Sequence, residues 1–217
     1  MSAYLRHQFP CLGISLPHLD LLLRELPAPE PELKIDYALA CWELPEREYQ
    51  YAALRRLRSG AGRLSPDRLP DLERLIVTKS WWDTVDELAT NVVGPLVLAQ
   101  PALVAEMDRW LESENIWLAR TAILHQERWK ARTDAERLFA YCLRRAGDRE
   151  FFIRKAIGWS LRSYAATDPS AVARFVHDHE SLLSGLSKRE ALRGAQRQLL
   201  RGETGASRGS GRRSDLD

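Results

Sequence analysis

The stretch "KSWWDTVDELA", Lys79–Ala89, decides the fold through its least conspicuous part. Near its end the pair Glu87-Leu88 sets a small or polar residue before a branched aliphatic. Counterparts stand at Ala53-Leu54, Ala122-Ile123, Ala156-Ile157 and Ala191-Leu192, so the steps are 34, 35, 34 and 35 residues. Helix pairs repeated at this interval stack into an α-solenoid, because no pair buries its apolar face alone and each neighbour completes the core. Strand-like alternation is scarce and helix punctuation is frequent, which predicts an all-α chain. Ser80 before Asp83, Thr133 before Glu136 and Ser187 before Glu190 read as helix starts, in which a hydroxyl accepts from the amide three residues on. Ser65-Pro66 and Asp168-Pro169 put proline at a first helical position, where its missing N–H costs nothing.

The period is close to that of tetratricopeptide repeats, but their Trp, Gly, Tyr and Pro signature is absent. This favours a superhelix of irregular HEAT-like helical repeats. One such domain is expected over residues 1–200. The tail "RGETGASRGSGRRSDLD", Arg201–Asp217, is rich in Gly, Ser and Arg and is expected to be disordered. At 217 residues, 45% hydrophobic and 29% charged, the chain has the composition of a soluble globular protein. No apolar run approaches the roughly 18 residues of a membrane helix, and "MSAYLRHQFP" lacks the apolar segment of a secretory signal. The cytoplasm is the expected location and a monomer the expected state. Cys11, Cys41 and Cys142 are odd in number and far apart, which suits reduced thiols rather than a disulfide frame. His177 and His179 lack HExxH spacing, so zinc is not expected; no other metal and no cofactor are expected either.

The formal net charge of +2 is unevenly spread. From Asn115 to Ala165 eleven lysines and arginines stand against five acids, a surplus of six. Such a field favours phosphates, although a solvated arginine-rich helix face gives the same count.

Turning ~100° per residue from the first member of each repeated pair places the pair on the core side of its helix. Trp82, Asp86, Arg120 and Trp159 then fall near ~220°, ~260°, ~160° and ~300°, away from the core. Trp117 and Phe151 share the register of Trp82, so packing on a neighbouring helix explains an aromatic there equally well. Asp83, three residues after Ser80, is accounted for as a cap. Asp86 lies beyond the first turn and has no such explanation. Arg120 could equally pair with a surface acid.

These residues resemble those of the AlkD-type DNA alkylation repair family, bacterial DNA glycosylases built of HEAT-like repeats. The resemblance is carried by "CWELPEREYQYAAL" (Cys41–Leu54), "LIVTKSWWDTVDELA" (Leu75–Ala89), "NIWLARTAIL" (Asn115–Leu124), "FFIRKAIGWSLRSYA" (Phe151–Ala165) and "LSKREAL" (Leu186–Leu192). It implies a site of Trp82, Asp86, Arg120 and Trp159, the four residues that the helical faces single out. Family members usually carry additional N-terminal helical sequence. Here the part resembling their second helix starts almost at Met1, with Tyr4 matching a lesion-facing tyrosine on that helix and Ser15 where some relatives have glutamine.

The chemistry suits these residue types. A purine alkylated at N3 or N7 is cationic and leaves as a neutral base without a general acid. The difficulty is the deoxyribose, which becomes oxocarbenium-like. Asp86 is the candidate to stabilise it and orient water, with Trp82 and Trp159 offering π-faces to the developing charge. Arg120 and Tyr4 are the candidate DNA contacts, Arg120 through a backbone phosphate. Lacking a second catalytic carboxylate, the site is expected to take cationic adducts in double-stranded DNA, with the protein on the nucleoid when bound. A non-catalytic DNA-binding module of the same fold and a protein-binding repeat scaffold are the competing expectations.

Overall fold

A computed structural model describes residues 3–194. The expected disordered tail therefore lies outside the described residues, as do residues 195–200 of the expected repeat domain. Two compact units divide the chain, Met1–His125 and Gln126–Asp217.

In the first unit α1 (Leu16–Glu25) packs on α3 (Arg47–Leu57), which pairs with α2 (Lys34–Glu43). Then come α4 (Leu69–Val77) with α5 (Trp82–Leu88), and α7 (Val104–Leu111) with α8 (Ile116–Leu124). A π-helical turn, Ala89–Val93, carries α5 on into α6 (Gly94–Ala99). In the second unit α9 (Ala135–Arg144) and α11 (Pro169–Asp178) pack on α10 (Phe151–Tyr164), and α12 spans residues 185–194. The fold is all-α and built of helical repeats. The second helices of the pairs begin at Arg47, Trp82, Ile116, Phe151 and residue 185, at steps of 35, 34, 35 and 34.

The recurring pairs lie where the period requires. Ala53, Leu54, Leu88, Ala122, Ile123, Ala156, Ile157 and Ala191 are all at most 1% exposed. Glu87 and Leu192 are the half-buried exceptions. Helix ends are closed by side chains of neighbouring helices. Trp42 Nε1 donates to the carbonyls of Leu75 and Thr78 at the end of α4 (3.1 Å each), and Gln50 Nε2 to those of Cys41 and Leu44 at the end of α2 (3.0 and 3.1 Å). These carbonyls have no intrahelical partner, so a buried end needs such donors. The chain before α1 is tied down in the same way. Glu48, 1% exposed, accepts from the amides of Leu12 (2.9 Å), Gly13 (2.9 Å) and Ile14 (3.2 Å).

Three expected caps are corrected. Ser80 donates its hydroxyl to Ile76 O (2.6 Å), and α5 starts after Trp81 with no side-chain cap. Asp134 rather than Thr133 caps α9, accepting from Arg137 N (3.0 Å), because its carboxylate outcompetes the adjacent hydroxyl. Ser184 caps α12 by accepting from Ser187 N (3.1 Å), which leaves Ser187 inside the first turn. Asp168 caps α11 with Pro169 behind it, as expected.

Two glycines permit close helix contacts. A Cβ on Gly94 would lie 2.2 Å from the carbonyl oxygen of His125, and one on Gly158 would lie 2.6 Å from Glu190 Cβ. Among the described residues no single helix is long and apolar enough to cross a membrane.

Candidate functional site

The start of α5 is fixed from α3. Arg47, 0% exposed, donates Nε and Nη2 to Asp83 (3.0 and 2.5 Å), Nη1 to Lys79 O (2.8 Å) and Nη2 to Thr84 Oγ1 (2.8 Å). Tyr51 adds its hydroxyl at 2.6 Å from Asp83 Oδ2. Burial first, then the bond to Asp83, pushes the Tyr51 hydroxyl up and keeps it a neutral donor. Lys79 adopts a left-handed φ of 50° between α4 and α5, and its ammonium reaches the carbonyls of Trp42 and Leu44. Asp83 is thus no cap: it is the acceptor of a buried ion pair one repeat long.

One turn after Trp82, Asp86 meets α8. Arg120 Nε lies 2.6 Å from Asp86 Oδ1 and Arg120 Nη2 lies 2.8 Å from Oδ2, a two-pronged pair. The side chains are 3% exposed for Arg120 and 14% for Asp86. The structure therefore brings together two of the residues that the sequence points to, in an unexpected relation. Arg120 is expected to be open to a phosphate, yet it lies inside and clasps the carboxylate. The physical reason is its ~160° offset, which aims it at the neighbouring α5 rather than at solvent.

Glu87, the next residue, turns the other way. It lies 3.8 Å from Arg55 and 3.6 Å from Arg58 on the α3 side, and it accepts from Asn91 Nδ2 (2.9 Å). A second carboxylate is thus adjacent in sequence but directed away from the Asp86–Arg120 pair.

Trp82 is half-buried, and Tyr4 stands edge-on to it, with ring centroids 5.1 Å apart. Tyr4 is 66% exposed and sits in a turn over residues 3–7, not on a helix as the resemblance implies. Arg6 and His7 in that turn have φ of 52° and 58°, which no helix tolerates. Trp81 is half-buried too, with its ring 5.9 Å from that of Trp117. The fully buried tryptophans are Trp42 and Trp110, the latter donating Nε1 to Glu73 (3.0 Å).

Trp159 belongs to the second unit, half-buried on α10. Lys155 and Arg162, four residues before and three after it, share its helical stripe. Their common counter-ion is Glu190 of α12, 2.8 Å from Lys155 and also bonded to Arg162, with Arg193 3.9 Å away. The Lys155 bond first, then the surrounding cations, holds the Glu190 carboxyl below its ordinary value against burial. Three cations on one acid leave this stripe positive. In the sequence Lys155 and Arg162 stand out only as part of the basic segment; their i, i+4, i+7 spacing with Trp159 is the signal that places them on one face.

The family model for DNA alkylation repair enzymes matches residues 1–194. The chain belongs to that family. A DNA alkylation repair protein is accordingly expected to act on alkylated bases in DNA. The solved structure of a predicted DNA alkylation repair enzyme from Enterococcus faecalis is similar, with 32% identity and a TM-score of 0.77 over 88% of this chain and 91% of that one. No curated protein matches the sequence.

Within the first unit, this member of the family presents a fixed carboxylate, a half-buried indole one turn earlier and an exposed phenol against that indole. Such a set can receive a cation beside an aromatic face. Cys41 and Cys142 are buried, with burial pushing the Cys142 thiol up to about 12, and neither has the character of a nucleophile.

Proposed function

We propose that the chain is an AlkD-type DNA glycosylase that releases cationic N3- and N7-alkylated purines, of the 3-methyladenine and 7-methylguanine type, from duplex DNA. The observation that carries this reading is Asp86: a carboxylate held at both oxygens by the buried Arg120 guanidinium, one turn from Trp82. A positively charged purine departs with the electron pair of its bond to C1′ and is neutral when free, so no acid is required. Water then adds to C1′ and gives up one proton, leaving an abasic sugar. The charge to be stabilised is the positive one on the deoxyribose between these events. A pre-positioned carboxylate does this without reorganising, and that is where electrostatic catalysis is strongest. Arg120 acts here as a positioning residue, fixing where the charge sits. Trp82 offers its indole to the sugar while Tyr4 packs against it at about a right angle, and Trp159 with Lys155 and Arg162 supplies a second aromatic and basic stripe for DNA.

A second reading has its own support. Both oxygens of Asp86 accept from Arg120, which is what a purely structural pair would also look like. In that case the protein is a DNA-binding module of this fold without catalysis. Base release separates the two. The full chain is incubated with methylated duplex and with a duplex carrying a neutral alkylated base, and free purine is measured by chromatography. Release from the methylated duplex alone, lost in Asp86→Asn, supports the glycosylase. Binding without release supports the module, and equal release from both duplexes refutes the cationic-adduct mechanism.

A further inference from the structure

Between α1 and the end of α3 lies an open groove of about 530 Å³, lined by Arg24, Arg55, Arg56, Arg58 and Asp20 among others. With Glu87 at 3.6 Å from Arg58, four guanidinium groups meet two carboxylates, a surplus of two positive charges. Two of the arginines are committed to the fold. Arg55 Nε donates to Asp20 Oδ1 (2.8 Å), and Arg56 Nη2 closes the end of α1 at the carbonyls of Leu23 (2.6 Å) and Leu26 (2.9 Å). Arg56 Nε is buried with no acceptor among the described residues, and such an orphaned donor is costly unless something else accepts from it. Arg58 is 46% exposed and too far from Glu87 for a hydrogen bond, and Arg24 is exposed on the facing wall. The floor is therefore held by the fold, while the rim keeps two exposed guanidinium forks.

We propose that this groove is a phosphate subsite, with Arg24 and Arg58 gripping one backbone phosphodiester of the duplex beyond the reacting nucleotide. Guanidinium forks match phosphate oxygens in pairs, and a surplus of positive charge in a groove concentrates anions. The inference rests on the proposed action on duplex DNA. It gives that action a DNA contact outside the expected quartet, a role that the buried Arg120 leaves open.

The test is the salt dependence of binding to an undamaged duplex by the full chain, compared with the double variant Arg24→Gln/Arg58→Gln and with Asp20→Asn. Both altered arginines are exposed, and melting curves check that the fold is kept. One lost phosphate contact lowers the slope of log affinity against log salt by about 0.9. The double variant is expected to show that loss, and Asp20→Asn, which removes a counter-charge, is expected to bind more tightly. A purely structural cluster would give neither result. A second arm measures stabilisation by inorganic phosphate. If phosphate raises the melting point of the wild type but not of the double variant while the duplex slope stays unchanged, the groove takes free phosphate and the DNA assignment is overturned. An unchanged slope with no difference in phosphate stabilisation overturns the subsite altogether. Should the wild type bind no duplex, the proposed function fails, and the phosphate arm alone decides the groove.

Discussion

Asp86→Asn is the perturbation on which structure and sequence disagree. From the sequence alone the substitution should spare the fold, since the amide is nearly isosteric. In the structure it removes the negative partner of a guanidinium that is 3% exposed and turns an N–H₂ toward existing donors. Breaking a buried pair from one side costs about 3 to 5 kcal/mol, and the 14% exposure of Asp86 argues for the lower end, about 3 kcal/mol. For a unit of this size that corresponds to a fall of roughly 10 °C in Tm. Arg120→Gln should cost less, about 2 kcal/mol, because the carboxylate left behind is the more hydrated partner. In the double variant Asn and Gln can hydrogen-bond each other. Its loss should fall short of the sum by about 1.5 to 3 kcal/mol, the coupling expected of residues in contact.

Melting curves of the four proteins give the cycle, and base release from methylated duplex is measured at a temperature where all four are folded. Release should vanish in Asp86→Asn and stay absent in the double variant even where stability returns. Recovery of release with recovered stability would mean that the pair serves the fold and not the chemistry. A Tm unchanged by Asp86→Asn would refute the buried pair itself. The Arg120→Gln protein also tests the phosphate contact expected of Arg120. With its fork on Asp86, the salt slope for plain duplex should not move, whereas a slope lower by about 0.9 would return Arg120 to the DNA surface.

Trp82→Ala should lose base release with little change in Tm, whereas Trp110→Ala, which empties a 0% exposed site, should cost about 3 to 5 kcal/mol; similar melts for the two would place Trp82 in the core. Asp83→Asn should lower stability by about 3 kcal/mol through Arg47 and Tyr51, while release per folded molecule is retained; a melt like the wild type would show that the network contributes nothing. Gly158→Ala should destabilise the second unit by about 1 to 3 kcal/mol, since its Cβ would meet Glu190 Cβ at 2.6 Å; a neutral effect by denaturant titration would show that α12 can give way. Because the folded Glu190 carboxyl is held below its ordinary value of 4.5, its contribution is present above that value and is lost as pH falls through the folded one. Acid melts of Glu190→Gln should therefore fall less steeply below pH ~4.5 than those of the wild type, and parallel curves would refute the linkage.

The repeat was legible because burial imposes it: an apolar pair must return each time a helix pair does, and Ala156-Ile157 obeys this as Ala53-Leu54 does. Helix starts were less legible. The hydroxyl of Ser80 looked like a cap from its spacing, but α5 begins where Arg47 takes hold of Asp83, thirty-six residues away. Spacing within one helix cannot reveal a partner on another. The same limit explains Arg120. A single-helix wheel separates core from non-core, and a residue at ~160° lies on the boundary, where a neighbouring helix decides. Only the resemblance puts Tyr4 on a helix, and the positive φ values of Arg6 and His7 forbid one there.

α5 receives an arginine at each of its three acids: Arg47 at Asp83, Arg120 at Asp86, and Arg55 with Arg58 at Glu87. Stacking explains all three, so what sets Asp86 apart must be found in the burial. In the Arg47–Asp83 pair both members are sunk, at 0% and 7% exposed. In the Arg120–Asp86 pair the cation is nearly as deep, at 3% exposed, but the anion keeps 14% of its side chain exposed, twice the share of Asp83. In the proposed reaction, a sugar acquiring positive charge outside such a pair meets the carboxylate first. With an effective dielectric of about 20, a carboxylate at ~4 Å attracts it by about 4 kcal/mol, and a guanidinium at ~8 Å repels it by about 2. The balance of about 2 kcal/mol is attractive, close to thirtyfold in rate if realised only in the transition state. The clasp of Arg120 therefore weakens the pull of Asp86 without cancelling it. In exchange it removes the reorientation that a loose carboxylate would have to undergo at the moment of reaction.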